Sequence, residues 1–220
     1  MMQAQSTPYG PVANVYDAFL TLMGFKRGVE NFLDRVHFDL PANANVLDVA
    51  CGTGLVSFYL ARRFPSASIL GTDIDERMLA EMERLAAEQG IRAPRIRTAL
   101  ADINTPDRVR YRDTNAEAVL PEASFDCITA SGALEHADLD RALAGFKRLL
   151  KPGGTLFTLN VRRNPAGAVL AMAYHFRPYG IAELRNACAK AGLEDIRVLR
   201  LGAEDFPANL SRIAIVARNR

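Results

Sequence analysis

The sequence predicts an α/β fold: a three-layer sandwich with a mostly parallel seven-stranded sheet and an antiparallel last strand. Short apolar runs alternate with helical patterns along most of the chain, which is typical of a parallel sheet covered by helices on both faces. A glycine turn joins the first apolar run to a helix. The last two runs lie close together, which favours antiparallel pairing at a sheet edge. Together these observations predict a Rossmann-like sheet.

The elements follow in a simple order. Apolar residues recur with helical spacing over 12–36, with a break expected near Gly24 or Gly28. Strands are predicted over 46–49, 68–71, 96–101, 125–130, 155–161, 196–201 and 213–217, and helices over 56–63, 76–89, 139–150 and 181–191. We therefore expect one domain over 1–220, with an N-terminal helical cap (1–40) on a Rossmann-like core (41–220).

Composition excludes several classes of protein. Hydrophobic residues make up 49% of the 220 and charged residues 24%, as in a globular protein. The net charge of +2 gives no argument for nucleic acid, because the arginine clusters are short and are typical of solvated strand and helix ends. No apolar run is long enough to span a membrane.

The few cysteines and histidines indicate the environment. Three widely spaced cysteines cannot form a complete disulfide framework, and with three histidines they show no metal-ligand spacing. The first eleven residues lack a signal-peptide layout. We expect a cytoplasmic protein without a metal, monomeric or homodimeric, whose partner is a small molecule rather than nucleic acid or membrane.

The main functional signal lies between the first two strands. Gly52 and Gly54 allow a ligand to approach the backbone closely, and Asp73, 21 positions after Gly52, can accept hydrogen bonds from ribose hydroxyls. A dinucleotide site requires a third glycine, where Ser57 stands. Asp48 would repel a pyrophosphate but suits a cofactor that carries an ammonium group. The pattern therefore favours S-adenosylmethionine over NAD.

At these residues the sequence resembles class I methyltransferases, especially the branch that contains ubiquinone and menaquinone methyltransferases. The resemblance covers nearly the whole chain. The matching segments, in the family's order, are 46–54, 71–75, 124–126, 149–154 and 178–184 with 191–193. Ala50 departs from the pattern, because many members have glycine there.

The resemblance implies roles for individual residues. Asp48 and the backbone at Ala50, Gly52 and Gly54 would hold the methionine end of S-adenosylmethionine. Asp73 would bind the ribose and Ile74 would pack on the adenine. Tyr16 resembles a tyrosine that closes over the cofactor, although burial in the core is the competing interpretation. Ser131, at the end of the fourth strand, completes the candidates on that side.

The residue that contacts the adenine has two candidates. Asp102 follows the strand predicted over 96–101, and Ile103 would then cover the ring. Alternatively, 109–112 is the third strand and Asn115 is the contact. We favour Asp102, which leaves a long loop over 103–124.

The acceptor side is less well defined. His136 follows the fourth strand and is a candidate general base, because histidine titrates near neutrality; a capping or packing role is the alternative. Tyr174, His175 and Arg177 could line a pocket for a partly hydrophobic or aromatic acceptor, or cover the core.

The sequence thus predicts an S-adenosylmethionine-dependent methyltransferase that acts on an oxygen, nitrogen or carbon nucleophile of a small molecule. Two alternatives remain: a protein of the same fold that binds the cofactor without methyl transfer, and a nicotinamide-dependent oxidoreductase.

Overall fold

The computed structural model describes residues 24–91 and 94–220, which contain one sheet with helices on both faces. The strands are β1 (Asn45–Val49), β2 (Ser68–Asp73), β3 (Ile96–Leu100), β4 (Arg108–Tyr111), β5 (Glu117–Val119), β6 (Phe125–Ser131), β7 (Leu150–Val161), β8 (Glu194–Arg200) and β9 (Arg212–Arg218). The helices are α1 (Phe25–Asp34), α2 (Leu55–Arg63), α3 (Glu76–Glu88), α4 (Leu139–Leu149), α5 (Pro165–Tyr174), α6 (Ile181–Lys190) and α7 (Ala208–Ser211).

The strand order across the sheet is β5-β4-β3-β2-β1-β6-β7-β9-β8. The five strands from β3 to β7 in this order pair in parallel, and β9 is antiparallel to both of its neighbours. This confirms the predicted mostly parallel sheet with an antiparallel last strand. The order reverses between β1 and β6, and ligands bind at such a switch point, beyond the carboxyl ends of the strands.

The sheet has nine strands in the described part of the chain rather than the predicted seven. The two additional strands, β4 and β5, form an antiparallel hairpin on the free edge of β3. The predicted long loop over 103–124 therefore contains regular structure. In β4 only Val109 is buried, while Arg108 and Arg110 are exposed, and this alternation suits a strand with one face on the core.

Two hydrophobic cores cover the two faces of the sheet. Residues of α1, α2 and α3 pack on one face around Phe38 and Phe157. Residues of α4 and α6 pack on the other face around Leu143 and Phe146. The central strands of the sheet are thereby shielded from water on both sides, which leaves the loops at their carboxyl ends to form a site.

Two helices were not predicted. Helix α5 is apolar throughout, so it shows no amphipathic period, and it begins where the Asn164 side chain accepts a hydrogen bond from the Gly167 amide over 2.8 Å. The second is the short helix α7, which lies between β8 and β9, where the sequence predicted only a short connection.

The described part of the predicted N-terminal cap is helix α1. It begins directly after Gly24, whose φ of 84° favours glycine, and it continues through Gly28, so the helical pattern is not broken at Gly28. Tyr16 lies outside the described residues. Within the described ranges, no helix is long and apolar enough to cross a membrane.

Candidate active site

The turn between β1 and α2 has a left-handed backbone at three positions. The φ angles are 50° at Ala50, 55° at Gly52 and 91° at Gly54. A Cβ on Gly54 would lie 2.9 Å from side-chain atoms of Met82 and Phe58, so this glycine is needed for packing. A Cβ on Gly52 would meet no atom within 4 Å, so the backbone there faces open space that a ligand can approach.

Asp73 connects this turn to the end of β2. Its Oδ2 accepts a hydrogen bond from the Gly52 amide and its Oδ1 accepts one from the Asp75 amide, each over 2.9 Å. Burial raises the pKa of Asp73, and the backbone donors oppose that rise. Each carboxylate oxygen retains acceptor capacity, which fits the recognition of ribose hydroxyls.

Asp48 lies beneath the turn rather than in a cavity. The residue is 1% exposed; its Oδ2 accepts hydrogen bonds from the Ser57 amide (3.1 Å) and the Ser57 hydroxyl (2.6 Å), and its Oδ1 accepts one from the Thr129 hydroxyl (2.6 Å). Burial raises the pKa of Asp48 to about 6. The predicted contact with the ammonium group of a cofactor stays a prediction, and this geometry does not support it.

A cavity of about 400 Å³ lies at the carboxyl ends of β1, β2, β3 and β6. Six of the candidate residues line it together: Ala50, Asp73, Ile74, Asp102, Ile103 and His136. Its volume is typical of small-molecule sites. Gly52, Gly54 and Ser131 are not in its lining. The Gly52 amide nevertheless donates a hydrogen bond to the lining residue Asp73, and Ser131 is the last residue of β6.

The cavity includes Asp102 but not Asn115. Residues 108–111 form β4, antiparallel to β3, so they are not the third parallel strand of the alternative alignment. Asn115 lies in the hairpin turn, where its side-chain oxygen accepts a hydrogen bond from Arg110 Nη1 over 2.7 Å. The structure therefore favours the interpretation in which Asp102 follows the third strand.

His136 also lines the cavity, from the 3₁₀ turn after β6. Its ring contacts the ring of Phe176 edge-on, with centroids 4.9 Å apart. Partial burial lowers the pKa of His136, so the neutral imidazole predominates at pH 7. A neutral imidazole offers a nitrogen that can accept a proton from a ligand.

The end of helix α5 and the residue after it complete the cavity lining with Ala173, Tyr174 and His175. From the sequence, Tyr174 and His175 could either line a pocket or cover the core, and in the structure both residues line the cavity. Arg177 is not in that lining; it forms an ion pair with Glu183 over 2.5 Å. Asn104 and Ala133 also line the cavity and were not predicted. Neither residue type indicates a binding site unless its neighbours in the folded structure are known.

Residues 47–156, half of the chain, match a family model described as a methyltransferase domain. This chain belongs to that methyltransferase family. The match confirms the resemblance to class I methyltransferases, the assignment as an enzyme and S-adenosylmethionine as the methyl donor. It also removes the nicotinamide-dependent alternative, in agreement with the absence of a third glycine at Ser57.

Individual relatives agree with this assignment. The chain is 28% identical over 218 residues to a demethylmenaquinone methyltransferase of Thermus thermophilus. The alignment covers 95% of this chain and 89% of the relative. The chain is 35% identical over 130 residues to a ubiquinone biosynthesis O-methyltransferase of Leptothrix cholodnii, which covers 58% of this chain and 48% of the relative.

Solved structures share the fold. A geranyl diphosphate C-methyltransferase from Streptomyces coelicolor aligns with a TM-score of 0.71 at 13% identity, covering all of this chain and 90% of that chain. At this identity the likeness shows the fold alone.

Proposed function

We propose that this methyltransferase transfers a methyl group to a hydroxylated aromatic small molecule, with the donor on the Asp73 and Asp102 side of the cavity and the acceptor against His136. The observation that carries the proposal is the arrangement of these three side chains around one cavity of about 400 Å³. It provides two carboxylates for a nucleoside on one wall and a neutral imidazole on the other.

The donor side fits S-adenosylmethionine. Asp73 has free acceptor capacity for ribose hydroxyls, and the side chain of Ile74, which is 57% exposed, offers an apolar surface to a planar base. Asp102 and Ile103 lie on the same side and can hold the edge and the face of the adenine. When bound, the cofactor supplies an electrophilic methyl group on a sulfonium.

The acceptor side fits an aromatic hydroxyl. Ala133 and Ala173 provide apolar surface, and Tyr174 adds a ring and a hydroxyl. The neutral imidazole of His136 can take the proton from an acceptor hydroxyl, which makes the oxygen or the ring carbon beside it more nucleophilic. Close confinement of two reactants supplies much of the remaining rate.

The names of the two relatives support this acceptor class. One relative is named for demethylmenaquinone and the other for ubiquinone biosynthesis. The reduced form of a quinone carries hydroxyl groups on an aromatic ring, which is the chemistry that the His136 wall suits.

The proposal is tested by supplying S-adenosylmethionine with a panel of acceptors and measuring the release of S-adenosylhomocysteine. The panel contains a short-chain naphthoquinol, a catechol, a primary amine and a diphosphate monoester. We expect turnover with the hydroxylated rings and none with the amine or the diphosphate. Turnover with the amine alone would contradict the proposed acceptor class.

A further inference from the structure

We propose that Asn104 is a positioning residue that fixes the turn carrying His136 against the loop carrying Asp102, and so sets the acceptor wall relative to the donor wall. The inference deepens the proposed function and rests on it for the roles of the two walls. No sequence motif points to Asn104.

The side chain of Asn104 bonds to both loops. Its Nδ2 donates a hydrogen bond to Asp102 Oδ1 over 3.0 Å, and its own backbone amide donates to the same oxygen over 2.8 Å. Its Oδ1 accepts a hydrogen bond from the Asp138 amide over 2.8 Å. Asp138 follows His136 by two positions and caps α4, since its Oδ1 accepts from the Arg141 amide over 3.1 Å.

These partners determine the orientation of the amide group. A carboxylate oxygen only accepts and a backbone amide only donates. If the nitrogen and oxygen of the Asn104 side chain were exchanged, its oxygen would face the Asp102 carboxylate and its nitrogen would face the Asp138 amide, and both hydrogen bonds would be lost. Aspartate cannot replace both functions, because it would place a second carboxylate against Asp102. The site therefore requires a side chain that donates and accepts at once.

The hydrogen bond between Asn104 and Asp138 joins two loops that follow strands that are not adjacent in the sheet. Strands β3 and β6 are separated in the sheet by β2 and β1. The loop after β3 continues along α4: a Cβ on Gly145 would lie 2.7 Å from Pro106, and Asp107 pairs with Arg148 over 3.1 Å. The loop is thus supported by α4, and Asn104 transmits that support to the turn.

A second hydrogen bond holds the same turn from the other side. The hydroxyl of Tyr179 donates to the carbonyl oxygen of Ala137 over 3.0 Å. Two long-range hydrogen bonds thus hold the turn, one at each of the two residues that follow His136, in addition to the turn's own bond from the His136 amide to the Ala133 carbonyl oxygen over 3.0 Å. Loss of the Asn104 bond removes one of the two long-range bonds, so the imidazole gains freedom to move away from the acceptor.

The test compares wild type with Asn104→Ala and Asn104→Gln by proton NMR titration of the histidines. The chain has three histidines, which His136→Asn and His37→Asn assign. The charged and titratable side chains that share the cavity with His136 are Asp73, Asp102, Tyr174 and His175, with Glu135 and Asp138 in and beside the turn. Both variants retain all of these side chains, and Asp102 keeps its hydrogen bond from the backbone amide of residue 104.

We expect the pKa of His136 to rise toward its ordinary value in both variants as water reaches the loosened turn. Asn31→Ala is the matched control, because Asn31 also donates a side-chain hydrogen bond to a distant backbone carbonyl, that of Glu204 over 3.2 Å, away from the cavity. It should leave the His136 titration unchanged. An unaltered His136 titration in folded Asn104→Ala and Asn104→Gln would overturn the inference.

Steady-state kinetics supply the second measurement. We expect kcat with a hydroxylated acceptor to fall about tenfold or more in Asn104→Ala, and the affinity for S-adenosylhomocysteine to change less than about threefold, because misplacement of a reacting group acts mainly on turnover. A large loss of cofactor affinity with unchanged kcat would contradict the role. If the titration moves but no hydroxylated acceptor is methylated, the proposed function fails and the positioning role stands.

Discussion

The hydroxyl of Ser57 donates a 2.6 Å hydrogen bond to the carboxylate of Asp48, and both residues are buried beneath the turn of the active site. Ser57 occupies the third position of α2, and its amide donates to the same oxygen. A strand carboxylate thus caps the helix from outside it. The residue that replaces the third glycine of a dinucleotide site has a structural role of its own.

Asp48→Asn should change the pH dependence of stability. The folded-state pKa of Asp48 is raised to about 6, so the native protein binds the proton more tightly than the unfolded chain. The contribution of Asp48 to the free energy of unfolding should therefore fall as the pH rises from about 4 to 6, by up to about 3 kcal/mol from roughly two pKa units. The variant should lack this decline, because an asparagine can accept from Ser57 and donate to Thr129. Urea unfolding at several pH values measures the difference, and parallel pH profiles would contradict it.

The same variant tests where the Asp48 carboxylate acts. Because Asp48 does not line the cavity, we expect the affinity of Asp48→Asn for S-adenosylmethionine to lie within about threefold of the wild-type affinity. This corresponds to a change in binding free energy well under the roughly 1.4 kcal/mol that a tenfold change represents. Isothermal titration calorimetry measures the affinity. A hundredfold loss would instead support direct recognition of the ammonium group.

The two glycines of the turn should respond differently to alanine. Gly54→Ala forces a Cβ within 2.9 Å of Met82 and Phe58 and should lower stability by about 2–3 kcal/mol. Gly52→Ala meets no protein atom, so it should cost only about 1 kcal/mol for its left-handed backbone while weakening cofactor binding. Thermal unfolding and calorimetry separate the two effects. Equal cofactor affinity in Gly52→Ala and wild type would show that the ligand does not approach this backbone.

Asp73→Ala should weaken S-adenosylhomocysteine binding by about 10- to 100-fold, since hydrogen bonds to charged groups contribute about 1.5–3 kcal/mol. Asp75→Ala is the control: Asp75 caps the neighbouring helix α3 and is not in the cavity lining. The control should lose stability and keep its cofactor affinity. Unchanged binding by Asp73→Ala would mean that the ribose lies elsewhere.

His136→Asn should remove a limb of the pH–rate profile. A general base acts when neutral, so kcat should rise with pH through the pKa of His136, which burial places below the ordinary value of about 6.5. The variant should lose this limb and about 100-fold in kcat. His37→Asn, an exposed residue outside the cavity, should retain both. A limb that persists in His136→Asn would assign the base to another group.

The donor side of the site was largely predictable because each of its residues lies at or just after the end of a parallel strand. The carboxyl ends of such strands meet at one edge, so Ala50, Asp73 and Asp102 could be placed together from the pattern alone. Asp48 was predictable as a motif residue, but its side-chain direction was not. That direction depends on Thr129, a partner 81 positions away on β6.

The acceptor side was less predictable for a physical reason. Helix α5 has no polar face, and without a period its residues could equally have been core. The β4–β5 hairpin was missed because four- and three-residue strands at a sheet edge carry little periodic signal. Asn104 has no sequence signal, since its role exists only through Asp138, 34 positions later.

Helix α5 lies outside the hydrogen-bonded sheet, although it supplies Ala173 and Tyr174 to the cavity at the proposed acceptor wall. The donor wall, by contrast, is fastened by backbone bonds between Cys51 and Thr72 and between Ala101 and Asp73. Substitutions on α5 can therefore reshape the acceptor wall while the donor wall keeps its geometry. A change of substrate during the evolution of such an enzyme would begin at this helix, and a laboratory search for new acceptors should randomise it first.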